Sequence, residues 1–250
     1  MYVKKLAKKF FGIKKEMLSR PKPTVWVTRS LPAADRSSKN WSYAGFNPLT
    51  FPLLEISKPS EEPNLPLKKG ILVFTSGNGV RAFSEKTTER DWSVVTVGKE
   101  TQRLARKFGF ESPLTANGDS RDVANLILNN FSKDNNIYHC GGNNLQGSIV
   151  KDLLQKGYNA ERLVYYNSTP IKVKPSINVN EIDYLILYSP LAARTLVKYQ
   201  FNLLGVTVIS ISKATKDALG TLKGVRHKVS KEPNEMAIID LVKDLEVMND

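Results

Sequence analysis

Soft metal ligands are scarce in this chain. Cys140 is its only cysteine, and His139 and His227 are its only histidines. One cysteine excludes an intrachain disulfide, which suits a reducing compartment. A zinc site of the usual type would need these three scattered residues together, so no metal is expected. Long apolar runs are also missing. None approaches the roughly 18 residues that would cross a bilayer. No apolar stretch or small-residue cleavage site follows the basic N-terminus, so no secretory leader is expected. Motifs of familiar catalysts are absent too: there is no HEXXH, no paired cysteine and no G-x-S-x-G elbow. "GGNNLQGS" (Gly141–Ser148) resembles a phosphate loop, but Ser148 stands where its lysine must be. "SGNGVR" lacks the third glycine of a dinucleotide fingerprint.

Positive charge is plentiful, and it is unevenly placed. The net charge is +13 over 250 residues. Residues 1–22 carry eight Lys/Arg and one Glu, so the other 228 residues carry +6. A moderately basic body suits an anionic ligand. No basic patch is interleaved with aromatics, so no nucleic-acid partner is expected. In the extension Val3, Leu6, Ala7, Phe10, Phe11, Met17 and Leu18 recur at helical spacing between lysines. Three readings are open: an added amphipathic helix, a weak membrane-surface contact, or a nucleic-acid arm or organelle address. "SRPKP" at 19–23 ends any such helix.

From Thr24 the pattern is short apolar strand, turn, helix. "VWVTRS", "ILVFTS", "VVTVG", "NIYHCGG", "DYLILYS" and "VTVISIS" are the strands, and helical patterns of about 10–15 residues separate most of them. That alternation predicts an α/β fold with parallel sheets. Ser30 is a candidate helix cap with Pro32 in the first turn, and Gly45 ends that helix.

The halves then match each other in order. "VWVTRS…AGFNPLTFPLLEI" corresponds to "IYHCGG…KGYNAERLVYYNSTPI", with Gly45 against Gly157. "FTSGNGVRAF" corresponds to "LYSPLAARTL", so that Ser76 and Ser189 lie 113 positions apart, as do Arg81 and Arg194. "VTVGKET" corresponds to "ISISKAT", and "NGDSRDVANLIL" resembles "EPNEMAIIDLV". The chain is a tandem repeat of an α/β unit. Its strand-to-helix turns offer free backbone N–H groups and the positive end of a helix dipole, which favours anions. In open α/β sheets ligands collect at that edge. The candidate turns are Thr28-Arg29-Ser30, Thr75-Ser76-Gly77-Asn78, Gly98-Lys99, Gly141-Gly142-Asn143, Ser189-Pro190 and Ser212-Lys213. Each is open to two readings, an ordinary helix cap or a ligand contact.

These segments, in this order over residues 24–245, resemble uroporphyrinogen-III synthases. The resemblance rests on "VWVTRS", "GFNPLTFPLLEI", "ILVFTSGNGVRAF", "VVTVGKETQRLARKFGF" and "LVYYNSTP". It implies two flavodoxin-like domains joined by a two-stranded connection. The first domain would be 24–52 plus 171–250, the second 57–165, with crossings at 51–57 and 164–170. It also implies a cofactor-independent lyase of porphyrin (haem) biosynthesis. Such an enzyme closes hydroxymethylbilane, a polycarboxylate tetrapyrrole, into uroporphyrinogen III with inversion of ring D. A monomer is expected of two domains joined by just two crossings, and the lone cysteine and missing leader lead us to expect the cytoplasm.

The family tyrosine falls in "YYNSTP": Tyr166 takes its place as the assisting acid, and adjacent Tyr165 leaves the register open by one. Expected binding positions are Thr28, Arg29, Thr75, Ser76, Asn78, Gly98, Gly142, Ser189 and Ser212. A two-domain protein that binds a polyanionic small molecule without chemistry is the alternative, since fold alone does not fix function.

Overall fold

The computed structural model describes residues 21–116, 120–144, 148–222 and 224–249. The expected amphipathic helix and its membrane contact lie outside the described residues. So does the middle of "GGNNLQGS".

The chain opens with β1 (Thr24–Val27), α1 (Ala33–Tyr43) and β2 (Asn47–Thr50). Then come β3 (Leu54–Ser57), β4 (Ile71–Phe74), α2 (Gly77–Lys86), β5 (Ser93–Val97), α3 (Gly98–Lys107), β6 (Leu114–Ala116) and α4 (Ser120–Asn130). The second half runs through β7 (Asn136–Gly142), α5 (Ile149–Gln155), β8 (Asn159–Pro170) and β9 (Tyr184–Leu187). It ends with α6 (Pro190–Lys198), β10 (Thr207–Ser210), α7 (Lys213–Asp217), β11 (Arg226–Val229) and α8 (Glu235–Asn249). Among the described residues no helix is long and apolar enough to cross a membrane.

Two sheets form. One has the order β11-β10-β9-β1-β2 and is parallel throughout. The other has the order β3-β8-β7-β4-β5-β6, parallel except for β3, which pairs antiparallel with β8. In chain order the first sheet reads 2-1-3-4-5, the flavodoxin-like arrangement. The second reads the same way if β7–α5–β8 is counted first and β3 is set aside. The sequence-matched units β1–α1–β2 and β7–α5–β8 therefore each sit beside three strands from the other half of the chain.

The central strands are apolar on both faces because helices cover both. In the first sheet Trp26, Leu185, Leu187 and Val208 pack one core, while Val25, Val27, Ile186 and Ile209 pack another against Trp41 and α8. The second sheet divides likewise, with Ile71, Val73 and Ile137 on one face and Leu72, Phe74 and Tyr138 on the other. This is the two-residue side-chain period of a strand.

The repeat extends to hydrogen bonds. α1 and α5 both end on a glycine with positive φ, Gly45 at +99° and Gly157 at +83°. The Phe46 N–H returns to Trp41 O and the Tyr158 N–H to Leu153 O, each at 3.0–3.1 Å. Glycine is needed there because a Cβ penalises that conformation. α1 departs from expectation at its start. Among the described residues no side chain caps it, and Ser30 instead accepts the Ala34 N–H through its carbonyl at 3.1 Å.

Candidate active site

The carboxyl ends of β4 and β9 become helix N-termini through serine. Ser76 and Ser189 are both extended, with φ of −153° and −162°. Their hydroxyls accept the Gly79 N–H at 3.3 Å and the Ala192 N–H at 3.2 Å. Each satisfies one of the N–H groups a helix start leaves open. α2 rises from the second sheet and α6 from the first. Both starts border one cleft of about 240 Å³, which Thr28, Arg29, Asn78 and Tyr166 also line.

Tyr166 lines this cleft beside Ser76. β8 shifts register against β7 here, with Gly141 opposite Val164 and Gly142 opposite Tyr166, so that Tyr165 is the extra residue. Tyr165 turns into the core, edge-on to Phe83 at 5.5 Å, and its hydroxyl has no partner among the described residues. The Tyr166 hydroxyl instead meets Ser76 Oγ at 2.8 Å. Burial holds the Tyr166 phenol above its ordinary pKa, with the Ser76 hydrogen bond and Arg162 opposing more weakly. The phenol therefore keeps its proton at neutral pH. Behind the ring lies Gly142, where a Cβ would come within 2.6 Å of Tyr166 Cε2. Tyr166 also borders two adjoining hollows. One of about 150 Å³ includes Gly142 and Ser189, and one of about 270 Å³ includes Asn78 and Arg81.

Three guanidinium groups line the cleft: Arg29 and Arg36 beside the first sheet, and Arg81 on α2. Burial, then repulsion by Arg36 and Arg29, lowers the Arg81 pKa. Arg81 thus feels the other two cations, a condition that an anionic ligand relieves. Arg36 also reaches Glu100 of α3 at 3.4 Å, linking helices that flank different sheets. Among the described residues no group of three or more His, Cys, Asp and Glu could hold a metal ion.

The structure brings together Thr28, Arg29, Ser76, Asn78, Gly142, Tyr166 and Ser189 around these contiguous hollows. Thr28 is almost fully buried and gives its hydroxyl to Ile186 O at 2.6 Å, so it ties β1 to β9. Thr75, Gly98 and Ser212 line none of the three. Thr75 pairs with His139 Nε2 at 3.2 Å, Gly98 starts α3 with φ +73°, and Ser212 caps the short α7. Sequence reasoning passed over Arg36, Tyr188 and Glu100, which line the cleft, and Glu235, which stands behind it. Tyr188 had one available signal, its place just before Ser189 in the repeated turn.

The family model described as uroporphyrinogen-III synthase HemD matches residues 35–240. No curated protein matches significantly. Among solved structures, the uroporphyrinogen-III synthetase of Helicobacter pylori aligns over 90% of this chain and 99% of its own, with TM-score 0.61 and 19% identity. A mutant uroporphyrinogen III synthase from Thermus thermophilus aligns over 92% and 100%, with TM-score 0.55 and 14% identity. At such identities the two structures speak for the fold. The family model covers most of the chain.

Proposed function

Because the chain belongs to the uroporphyrinogen-III synthase family, we propose that the cleft around Tyr166 is where it performs that family's chemistry. The chain is a cyclising lyase. It closes hydroxymethylbilane into uroporphyrinogen III, with loss of one water and inversion of ring D.

The observation that carries the site assignment is the 2.8 Å contact between the Tyr166 and Ser76 hydroxyls, inside a cleft bordered by three arginines. The substrate's acetate and propionate arms need cations and backbone donors. The arginines and the N-termini of α2 and α6 offer both. Of the expected binding positions, Arg29, Ser76, Asn78, Gly142 and Ser189 are the ones we assign to substrate. Thr28 supports them from within.

The terminal hydroxymethyl carbon loses its oxygen as the pyrrole nitrogen pushes in an electron pair, which leaves an azafulvenium. Tyr166 gives its phenolic proton to the departing hydroxide, so that water leaves. Attack by the substituted α-carbon of ring D on that methylene gives a spiro intermediate; the bond from this carbon to the bridge from ring C then breaks, leaving an azafulvenium on ring C, which the free α-carbon of ring D attacks to close the macrocycle. Closure releases a proton as the last pyrrole regains aromaticity, and this proton restores the phenol. Holding a folded substrate for that attack is the larger task, and one positioned acid assists.

A monomer working in the cytoplasm fits this reading: the substrate is a small molecule, and the lone thiol of Cys140 is free and buried. The decisive assay supplies porphobilinogen and its deaminase, then separates the porphyrin isomers after oxidation. Type III should dominate with the protein present. Type I alone would overturn the reading.

A further inference from the structure

We propose that Glu235 and Tyr188 form a seat that fixes the Arg29 guanidinium as a carboxylate clamp of the cleft. Glu235 is then a positioning residue for the cyclisation. The proposal rests on the reading of the cleft as a polycarboxylate site.

Three chain segments converge at this seat. Arg29 follows β1, Tyr188 follows β9, and Glu235 opens α8. The Arg29 guanidinium lies 4.7 Å from the centre of the Tyr188 ring, a stacking that holds a cation by the ring quadrupole. The Tyr188 hydroxyl donates to Glu235 Oε1 at 2.7 Å and accepts the Trp41 indole N–H at 3.3 Å. Asn40 donates to Glu235 Oε2 at 2.7 Å. Both carboxylate oxygens are thus held, and Glu235 is only 8% exposed. The helix start favours its charge, and Asn234 caps that start by accepting the Ala237 N–H at 2.9 Å.

A carboxylate buried this far needs a cation, and Arg29 Nη1 lies 3.8 Å from Oε1. That is ion-pair range but too long for a hydrogen bond. Ser37 Oγ, at 3.4 Å, makes only a long contact with the same nitrogen. Among the described residues Arg29 uses Nη1 alone, leaving Nε and Nη2 for a ligand. Two adjacent N–H groups on a rigid plane are what a bidentate carboxylate contact requires. The seat fixes the plane from below and behind while the cleft-lining side chain keeps its charge. An arginine without a seat would spend its rotamer freedom on binding.

The test is steady-state cyclisation of hydroxymethylbilane by wild type, Glu235→Gln, Arg29→Ala and the double variant. Dissociation of uroporphyrin I, an octacarboxylate probe, is followed in parallel by fluorescence. Glu235→Gln keeps the size and an acceptor for Tyr188 but removes the charge. We expect KM and the probe Kd to rise about five- to twentyfold, as Arg29 regains part of its freedom, while kcat changes less than about threefold. In the Arg29→Ala background the same change should add less than about twofold, because the two residues act as one unit. A merely structural Glu235 would weaken both backgrounds alike, and that result overturns the proposal. So does an unchanged or lowered KM and Kd in the single variant. If Glu235→Gln does not fold, Tyr188→Phe keeps the ring and severs the link to Oε1. It should raise the probe Kd about two- to fivefold, again only when Arg29 is present, and an unchanged Kd overturns the proposal. A wild type that binds the probe but yields no type III isomer overturns the enzymatic reading and leaves the seat to be judged by Kd.

Discussion

Replacing Gly142 by alanine should disable Tyr166 without touching it. The φ of Gly142 lies outside the left-handed region, so the backbone itself accepts alanine. The obstacle is the tyrosine ring. The new Cβ would lie 2.6 Å from Cε2 and 2.7 Å from Cζ, against a normal carbon contact of about 3.5–4.0 Å. The ring must therefore retreat by roughly 1 Å. Hollows border it, so it has room to move, and the stability loss should sit at the low end of overpacking, about 1 kcal/mol. Its hydroxyl fares worse. A retreat of that size along the line to Ser76 would lengthen the 2.8 Å contact beyond hydrogen-bond range, and a misplacement of about 1 Å in any direction can cost as much as 10²-fold in rate. Turnover should fall about ten- to a hundredfold. The assay is type III isomer formed per enzyme, with urea melts alongside. Wild-type turnover in a folded Gly142→Ala protein would refute the reasoning. So would a crystal structure with the Tyr166–Ser76 contact intact.

Tyr166→Phe should lower turnover about ten- to a hundredfold without abolishing it, because the pyrrole push remains; an unchanged rate removes Tyr166 from the proton transfer. Ser76→Ala and Ser189→Ala should each cost about 0.5–2 kcal/mol in denaturant melts as lost caps, and Ser76→Ala should also slow turnover more, because only Ser76 touches Tyr166; equal rates would argue against that contact. Burial, with Arg162 adding repulsion, lowers the pKa of His139 to about 4, so its neutral form is the one the fold accepts. Between about pH 6.5 and 4 the unfolded chain takes up this proton first. The His139 contribution is then complete above that window and lost as pH falls through it, by at most about 3 kcal/mol. Urea melts of His139→Asn should lack that share of the slope, and parallel pH curves for the two proteins would disprove it.

Local chemistry was written in the sequence. Apolar runs specified buried strands, because only helix-covered sheets hide both faces. Ser76, Ser189, Gly45 and Gly157 marked helix ends, because caps and positive φ select few residue types. The matched turns announced the repeat, and the order of segments pointed to the family. What tertiary structure alone decided was which strands became neighbours. Nothing local tells β1 to pair with β9 rather than β4, since both are fully apolar and parallel pairing is set by distant burial. The choice between Tyr165 and Tyr166 was open by one residue. In space the two side chains part: the Tyr166 hydroxyl meets Ser76, while the Tyr165 ring packs on Phe83. Arg29 and Glu235 are 206 positions apart, and only the packing of α8 beside β1 and β9 brings a buried carboxylate behind that guanidinium.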